Sequence, residues 1–359
     1  MSRVYWLLTG PRQISSARIH GYRIHDYLRR RGWTSEILFR PRRWQGDAPL
    51  TGSDLLECSV FQPGDVAICQ KLQGPRMVSA LTALRSLQVK TVYLDCDWPV
   101  KLEEARLASE VACSSRYLAG EYARQGIAAV SWIPDAYEWE MERRRDYPAS
   151  RLRGVWFGNS SRKRVAEVEE LRTLIEAARP GWTLMTVSGH AAADVRWELR
   201  TAARMIAGCD FAVIPGSEEA GGLAKSANRA IQAMALSLPV LAYPIPAYRE
   251  VIRDGRNGFL CRTTEEWRSA LRAIADPGTR NRVARCGYRY ARRYFSMDRV
   301  GREWESLLGR LAGASRSAAN SGEGFEIPRR PAPDTLRIDA EWKAGLRKLR
   351  RQAAASGNR

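Results

Sequence analysis

Short apolar runs alternate along this chain with longer stretches whose apolar positions fall three or four residues apart, and the alternation occurs twice. In the first half, Val4 to Leu8, Glu36 to Phe39, Val66 to Cys69, Thr91 to Leu94, Val111 to Cys113 and Val130 to Ile133 read as buried strands. In the second half, Val155 to Phe157, Thr183 to Val187, Phe211 to Ile214, Val240 to Tyr243 and Phe259 to Cys261 repeat the rhythm. Helical periodicity fills most of the gaps, which predicts an α/β fold of two Rossmann-like, doubly wound parallel sheets. Between them, Tyr137 to Arg153 loses periodicity in a charged stretch that includes proline, the best candidate for a linker. The expected domains are 1–145, 146–311 and a tail at 312–359. The tail is first rich in Ser, Gly, Ala and Pro. It then carries Trp342, Leu346 and Leu349 at helical spacing among Lys and Arg, a short basic amphipathic helix.

The most informative segment runs from Lys225 to Pro244. On a helix, Ala227, Ala230, Ile231, Met234 and Leu238 share one stripe, and Lys225, Asn228, Arg229 and Gln232 share the other face. The polar face is richest where unpaired N–H groups and the helix dipole favour an anion, so a phosphate is the natural guest. A solvated helix start is the competing reading.

A length of 359 residues accommodates two α/β domains, and 45% hydrophobic residues with 12 Trp and 13 Tyr support packed cores. No apolar run approaches the roughly 18 residues of a membrane span, and the opening M-S-R-V-Y-W-L-L-T-G is too short for a secretion signal. A cytoplasmic protein is the expectation. The seven cysteines stand singly and the three histidines lack ligand spacing, so reduced thiols and no metal site are expected. A net charge of +19 would draw polyphosphates, anionic lipid or nucleic acid, or it reflects arginine used as the ordinary surface cation. No recognition helix or stacking motif supports specific nucleic-acid binding.

Lys225 to Pro244, together with Cys209 to Pro215 and Tyr248 to Leu260, resembles the nucleotide-binding half of GT-B fold glycosyltransferases, most closely the family 4-like group. The resemblance is clear from about Gly154 to Phe295 and weaker before that. It implies a glycosyltransferase that takes a nucleotide-diphosphate sugar as donor substrate, needs no further cofactor or metal, and serves glycan or glycolipid assembly. The donor would bind mainly the second domain and a glycan or lipid-linked acceptor the first, with the last helix crossing back onto domain one. Lys225 and Arg229 would then stabilise charge growing on the departing diphosphate, assisted by Ser226 and Asn228. Gln232 would meet the ribose.

Two glutamates that the family commonly carries eight positions apart are replaced here by Ala224 and Gln232, which leaves the donor sugar and stereochemical outcome open. Glu218 and Glu219 either substitute for them or are surface carboxylates. Gly221 and Gly222 permit either a ligand's approach or a tight turn. Around Gly158 to Arg164, Lys163 or Arg164 is expected to add a second grip on the diphosphate. In the first domain, Ser16 and Arg18 are expected on the acceptor side. Asp97, in D-C-D-W-P, either orients or deprotonates the acceptor hydroxyl or caps the helix expected from Val100. A non-catalytic nucleotide-sugar-binding or partner protein on the same scaffold is the alternative. The charge and the tail helix also raise peripheral contact with an anionic membrane.

Overall fold

The structure is a computed structural model that describes residues 2–143, 151–158 and 162–319, with the side chains of 162–165 and 314–319 outside that description. The expected tail helix at Glu341 to Gln352 therefore lies beyond the described residues. The chain divides into two compact units: Met1–Ser114 with Leu118–Ile133 and the segment from Gly301, and Pro134–Val300 with Ser115–Tyr117.

The first unit holds a parallel sheet of β1 (Val4–Leu7), β2 (Ser35–Phe39), β3 (Val66–Gln70), β4 (Lys90–Asp95), β5 (Glu110–Cys113) and β6 (Val130–Trp132). Its order is β2-β1-β3-β4-β5-β6, so the winding direction reverses between β1 and β3. Val4, Tyr5, Trp6 and Leu7 are all buried, as a parallel strand covered on both faces requires. The helical segment after β1 includes a π-turn at Arg18–Tyr22. From Gly301 the last described helix, Met297–Ala319, packs in this unit: Trp304 lies 5.9 Å from Trp6 between ring centroids, and Glu305 accepts from Tyr27 Oη (3.0 Å) and Trp33 Nε1 (3.2 Å).

The second unit holds β7 (Arg153–Phe157), β8 (Thr183–Ser188), β9 (Val195–Arg196), β10 (Phe211–Ile214), β11 (Val240–Ala242) and β12 (Phe259–Leu260), again all parallel. The order β12-β11-β10-β7-β8-β9 reverses direction between β7 and β10. Period-two alternation splits its core: Val155, Phe157, Ala212 and Ile214 pack on one face, Trp156, Phe211 and Val213 on the other. The two-residue β9 carries too little apolar pattern to be read from sequence.

The expected boundary at 145 moves to Ile133, because part of the expected linker is bound into the second unit. Met141 N donates to Ala235 O (2.9 Å), Arg143 N to Ser237 Oγ (3.2 Å), and Glu140 accepts from Tyr137 and Tyr288 hydroxyls at 2.7 Å each. All seven cysteines are free, and six are buried.

Candidate functional site

Open doubly wound sheets gather ligands outside the carboxyl ends of their strands, where the winding direction reverses. In the second unit that point lies between β7 and β10. Gly158 ends β7 at φ +144°, a backbone conformation that side chains rarely adopt, and a Cβ built there would meet Arg229 Cδ at 3.4 Å. Arg229 therefore lies along the β7 turn. It belongs to the helix Asn228–Ala235, which leads from the β10 side into β11.

That helix begins later than expected. Lys225 and Ser226 precede it in a non-helical stretch, after the short helix Ala220–Leu223 has ended. Ser226 accounts for the delay: its hydroxyl donates to the Asp135 carboxylate and accepts from Asn228 N at 3.4 Å, a local bond that competes with continued helix. Lys225 is exposed, Asn228 and Arg229 are half-buried, and Asn228 Nδ2 is a buried donor without a hydrogen-bond partner. No side chain caps the helix. Asp135, 3% exposed, is a candidate not singled out from sequence; its only signal was a polar residue after the strand-like run ending at Ile133.

Gln232, expected at the ribose, is engaged within its own unit. Only 2% exposed, it accepts from Glu138 N (2.6 Å) and Trp139 N (3.2 Å), and its Nε2 donates to Trp139 O (2.8 Å). The amide holds the segment after Asp135 against the helix. The apolar stripe of Ala227, Ala230, Ile231, Met234 and Leu238 is buried. Ala224 is fully buried and its carbonyl accepts from Ser115 Oγ at 3.0 Å. Glu218 pairs with Arg262 at 2.7 Å. A Cβ on Gly222 would lie 2.5 Å from Ser217 O, so this glycine serves a tight turn, whereas open space surrounds Gly221. Lys163 and Arg164 begin the helix Arg162–Ala178, and their side chains fall outside the described residues.

In the first unit the reversal lies between β1 and β3. Thr9 N and Oγ1 both donate to Gln70 Oε1 (3.1 and 2.8 Å), and Gln70 Nε2, fully buried, has no hydrogen-bond partner. Asp97 pairs with Lys71. It does not cap a helix: the next one starts at Leu102, and no side chain caps it. Burial pulls the Lys71 ammonium down, but Cys96, Asp97 and Asp95 together outweigh this and leave it above its ordinary value. Behind Asp97, fully buried Asp95 accepts from Tyr122 Oη at 2.6 Å and faces Lys101 Nζ at 3.6 Å; burial still pushes its carboxyl up.

Arg18, expected on the acceptor side, is 4% exposed and donates Nη1 to the carbonyls of Arg12 (3.0 Å) and Gln13 (3.3 Å), bracing the turn after β1, while Ser16 is half-buried. Among the described residues no group of three His, Cys, Asp or Glu is placed to hold a metal ion.

Comparison with known proteins agrees with this fold. Residues 149–276 match the family model of Glycosyl transferases group 1. Sucrose-phosphate synthase from Thermosynechococcus elongatus superposes with a TM-score of 0.64 at 14% identity, covering 88% of this chain and 100% of that one. HepE of Anabaena, in complex with UDP, gives 0.59 at 14% identity, covering 86% and 100%. TarM of S. aureus, in complex with UDP, fondaparinux and alpha-GlcNAc-glycerol, gives 0.57 at 11%, covering 72% of this chain and 58% of TarM, so the chain spans less than two thirds of that relative. A search of the curated proteins finds no match. The fold is that of the GT-B glycosyltransferases. The family-model match over the second unit and these neighbours together support the resemblance to a GT-B glycosyltransferase read from the sequence.

Proposed function

We propose that this protein transfers a sugar from a nucleotide-diphosphate donor to an acceptor hydroxyl, in glycan or glycolipid assembly. The observation that carries the reading is the placement of Arg229 along Gly158 at the point where the second sheet reverses, beside Lys225 and the partnerless Asn228 amide. An anion seated there meets a fixed guanidinium, an ammonium, an amide donor and the positive end of a helix. As the bond to the sugar breaks, negative charge accumulates on the leaving diphosphate, and groups already held around it lower the barrier without reorganising. Lys163 or Arg164, which follow β7 in the chain, would add a second cation to this grip.

The acceptor binds the first unit, with Ser16 near the turn after β1 and Asp97 at the end of β4. Asp97, paired with Lys71, would orient or deprotonate the acceptor hydroxyl. The leaving group is neutralised by side chains and needs no metal. The protein acts in the cytoplasm, on an acceptor presented at a membrane. UDP in the HepE and TarM complexes makes a uridine donor the first to try.

A thermal-shift panel of UDP, GDP, ADP, TDP and CMP sugars tests the reading, since a ligand selective for the folded state raises the melting point. One nucleotide series should stabilise wild type and fail to stabilise Arg229→Ala; stabilisation of both alike removes Arg229 from the donor site. Buried Ala224 and the clamped Gln232 favour a second reading, a nucleotide-sugar-binding protein without turnover. Calorimetric binding with no transfer across a broad acceptor screen would establish it.

A further inference from the structure

The helix Pro277–Phe295 in the second unit contains six arginines and no acidic residue. Arg280 turns inward and is fully buried, donating to Ile274 O at 3.0 Å. The other five, Arg282, Arg285, Arg289, Arg292 and Arg293, are all exposed. At about 100° per residue they fall within an arc of roughly 100°, on the side opposite Val283, Ala284, Gly287, Ala291 and Phe295, which are buried. The stripe extends over most of a helix about 28 Å long. The neighbouring helix Thr264–Ala275 offers a contrast, because its Arg268 and Arg272 both pair with Glu265.

Among the described residues, few carboxylates reach the stripe. Glu140 lies 3.5 Å from Arg292, Glu250 pairs with Arg116 at 3.7 Å, and Asp254 accepts from Leu260 N. Arg253 and Arg256 are exposed on the loop that Arg282 reaches through Gly255 O at 3.2 Å, so positive charge continues past the helix. Along one flank, the Tyr290 and Tyr294 rings lie 4.9 Å apart at a tilt of 50°, Tyr294 is 43% exposed, and the Arg293 guanidinium lies 5.3 Å from the Tyr294 ring centre.

We infer that this arginine stripe is a docking surface for an anionic lipid bilayer. A single exposed helix face is convex, so it fits an extended charged plane and offers no groove in which to track a nucleic-acid backbone. Mobile headgroups adjust to any spacing of guanidinium groups, and each cation near such a surface adds roughly 1 kcal/mol of attraction. A tyrosine pair beside the stripe, with rings apolar and hydroxyls polar, suits the headgroup level. The inference does not depend on the donor or acceptor chemistry, because adsorption is measured without turnover.

The test is co-sedimentation of the full-length chain with vesicles of phosphatidylcholine alone and of phosphatidylcholine mixed with phosphatidylglycerol. Wild type should bind the mixed vesicles, release them at high salt and ignore the neutral ones. The variant R285A/R289A/R293A, which spares the bonded Arg282 and Arg292, should bind about a hundredfold more weakly. R285K/R289K/R293K should bind like wild type, as should R268A/R272A on the neighbouring helix. Melting temperatures and the nucleotide-induced thermal shift should be unchanged in all three. Undiminished binding by the alanine variant would overturn the inference, since the charge elsewhere in the chain would then suffice. So would equal binding to neutral vesicles, or displacement of the protein from vesicles by a single-stranded oligonucleotide that binds more tightly through the same arginines.

Discussion

At the carboxyl edge of the first sheet, charged groups are matched within the unit: Asp97 with Lys71, and Asp95 with Lys101 and Tyr122. At the corresponding edge of the second sheet, Arg229 lies along a glycine turn, and among the described residues no carboxylate pairs with it. The same strand-end position thus carries paired charge in one unit and a cation without a carboxylate partner among the described residues in the other. A neutralised edge can orient a hydroxyl without attracting an anion, whereas an edge with an unspent cation attracts one. The contrast teaches that a doubly wound scaffold leaves the type of ligand to the few polar residues that follow each strand.

The sharpest way to break the comparison is to unbalance the matched edge. Asp95→Ala leaves Lys101 and Tyr122 facing an empty buried position and should cost about 3–5 kcal/mol of stability in urea unfolding. A loss below about 1 kcal/mol would mean the network is not the anchor described here. On the second edge, Arg229→Ala should lower kcat/KM for transfer by roughly 10²–10³ while leaving the melting temperature nearly unchanged. Steady-state kinetics with the donor found in the thermal panel decide it, and wild-type rates would end the parallel between cation and leaving group.

Gln232→Ala separates a structural amide from a ligand contact. It leaves two backbone donors and one carbonyl without their partner, so stability should fall by roughly 1–3 kcal/mol while the nucleotide-induced thermal shift persists. Loss of the shift in a folded variant would return Gln232 to the binding site.

The smallest effect concerns pH. Burial lowers His25 to about 4, and its Nδ1 lies 2.9 Å from Ser35 Oγ, the same oxygen that accepts from Trp6 Nε1 at 2.9 Å. In the neutral imidazole Nδ1 can accept the Ser35 hydroxyl proton while that oxygen accepts from the indole. The unfolded chain protonates this imidazole near pH 6.5, before the folded one does. The His25 contribution is therefore complete above about pH 6.5 and declines as pH falls toward 4, by at most about 1.4 kcal/mol per unit. Urea midpoints at pH 7 and 5 should differ less in His25→Gln than in wild type. An equal difference would remove His25 from the pH response.

Strand positions were legible because each needed only a local apolar run, and among the described residues eleven of the twelve strands were read, β9 being the exception. The buried stripe of the helix after β10 was equally legible, since burial follows a helical period. Polar roles were less so. Arg18 seemed to face a ligand, yet it braces the carbonyls of Arg12 and Gln13 in the turn before it. Asp135 went unread because its meaning depends on Ser226, 91 residues away. The Lys71 to Asp97 pair joins the ends of adjacent strands 26 residues apart, a relation that emerges only once β3 and β4 are in register.

The amino-acid pattern by itself determined the two parallel sheets, the helix faces that cover them and the placing of cations near Lys225 and Arg229, because periodicity and turn chemistry act over a few residues. Tertiary structure alone decided that Gln232 and Arg18 would be spent on backbone carbonyls and amides, that Asp97 would meet an ammonium, and that Arg229 would be left along Gly158. A hydrogen bond or ion pair takes its partner from whatever the folded chain brings within about 3 Å, and that neighbour is set by topology, not by the residue's own surroundings in sequence.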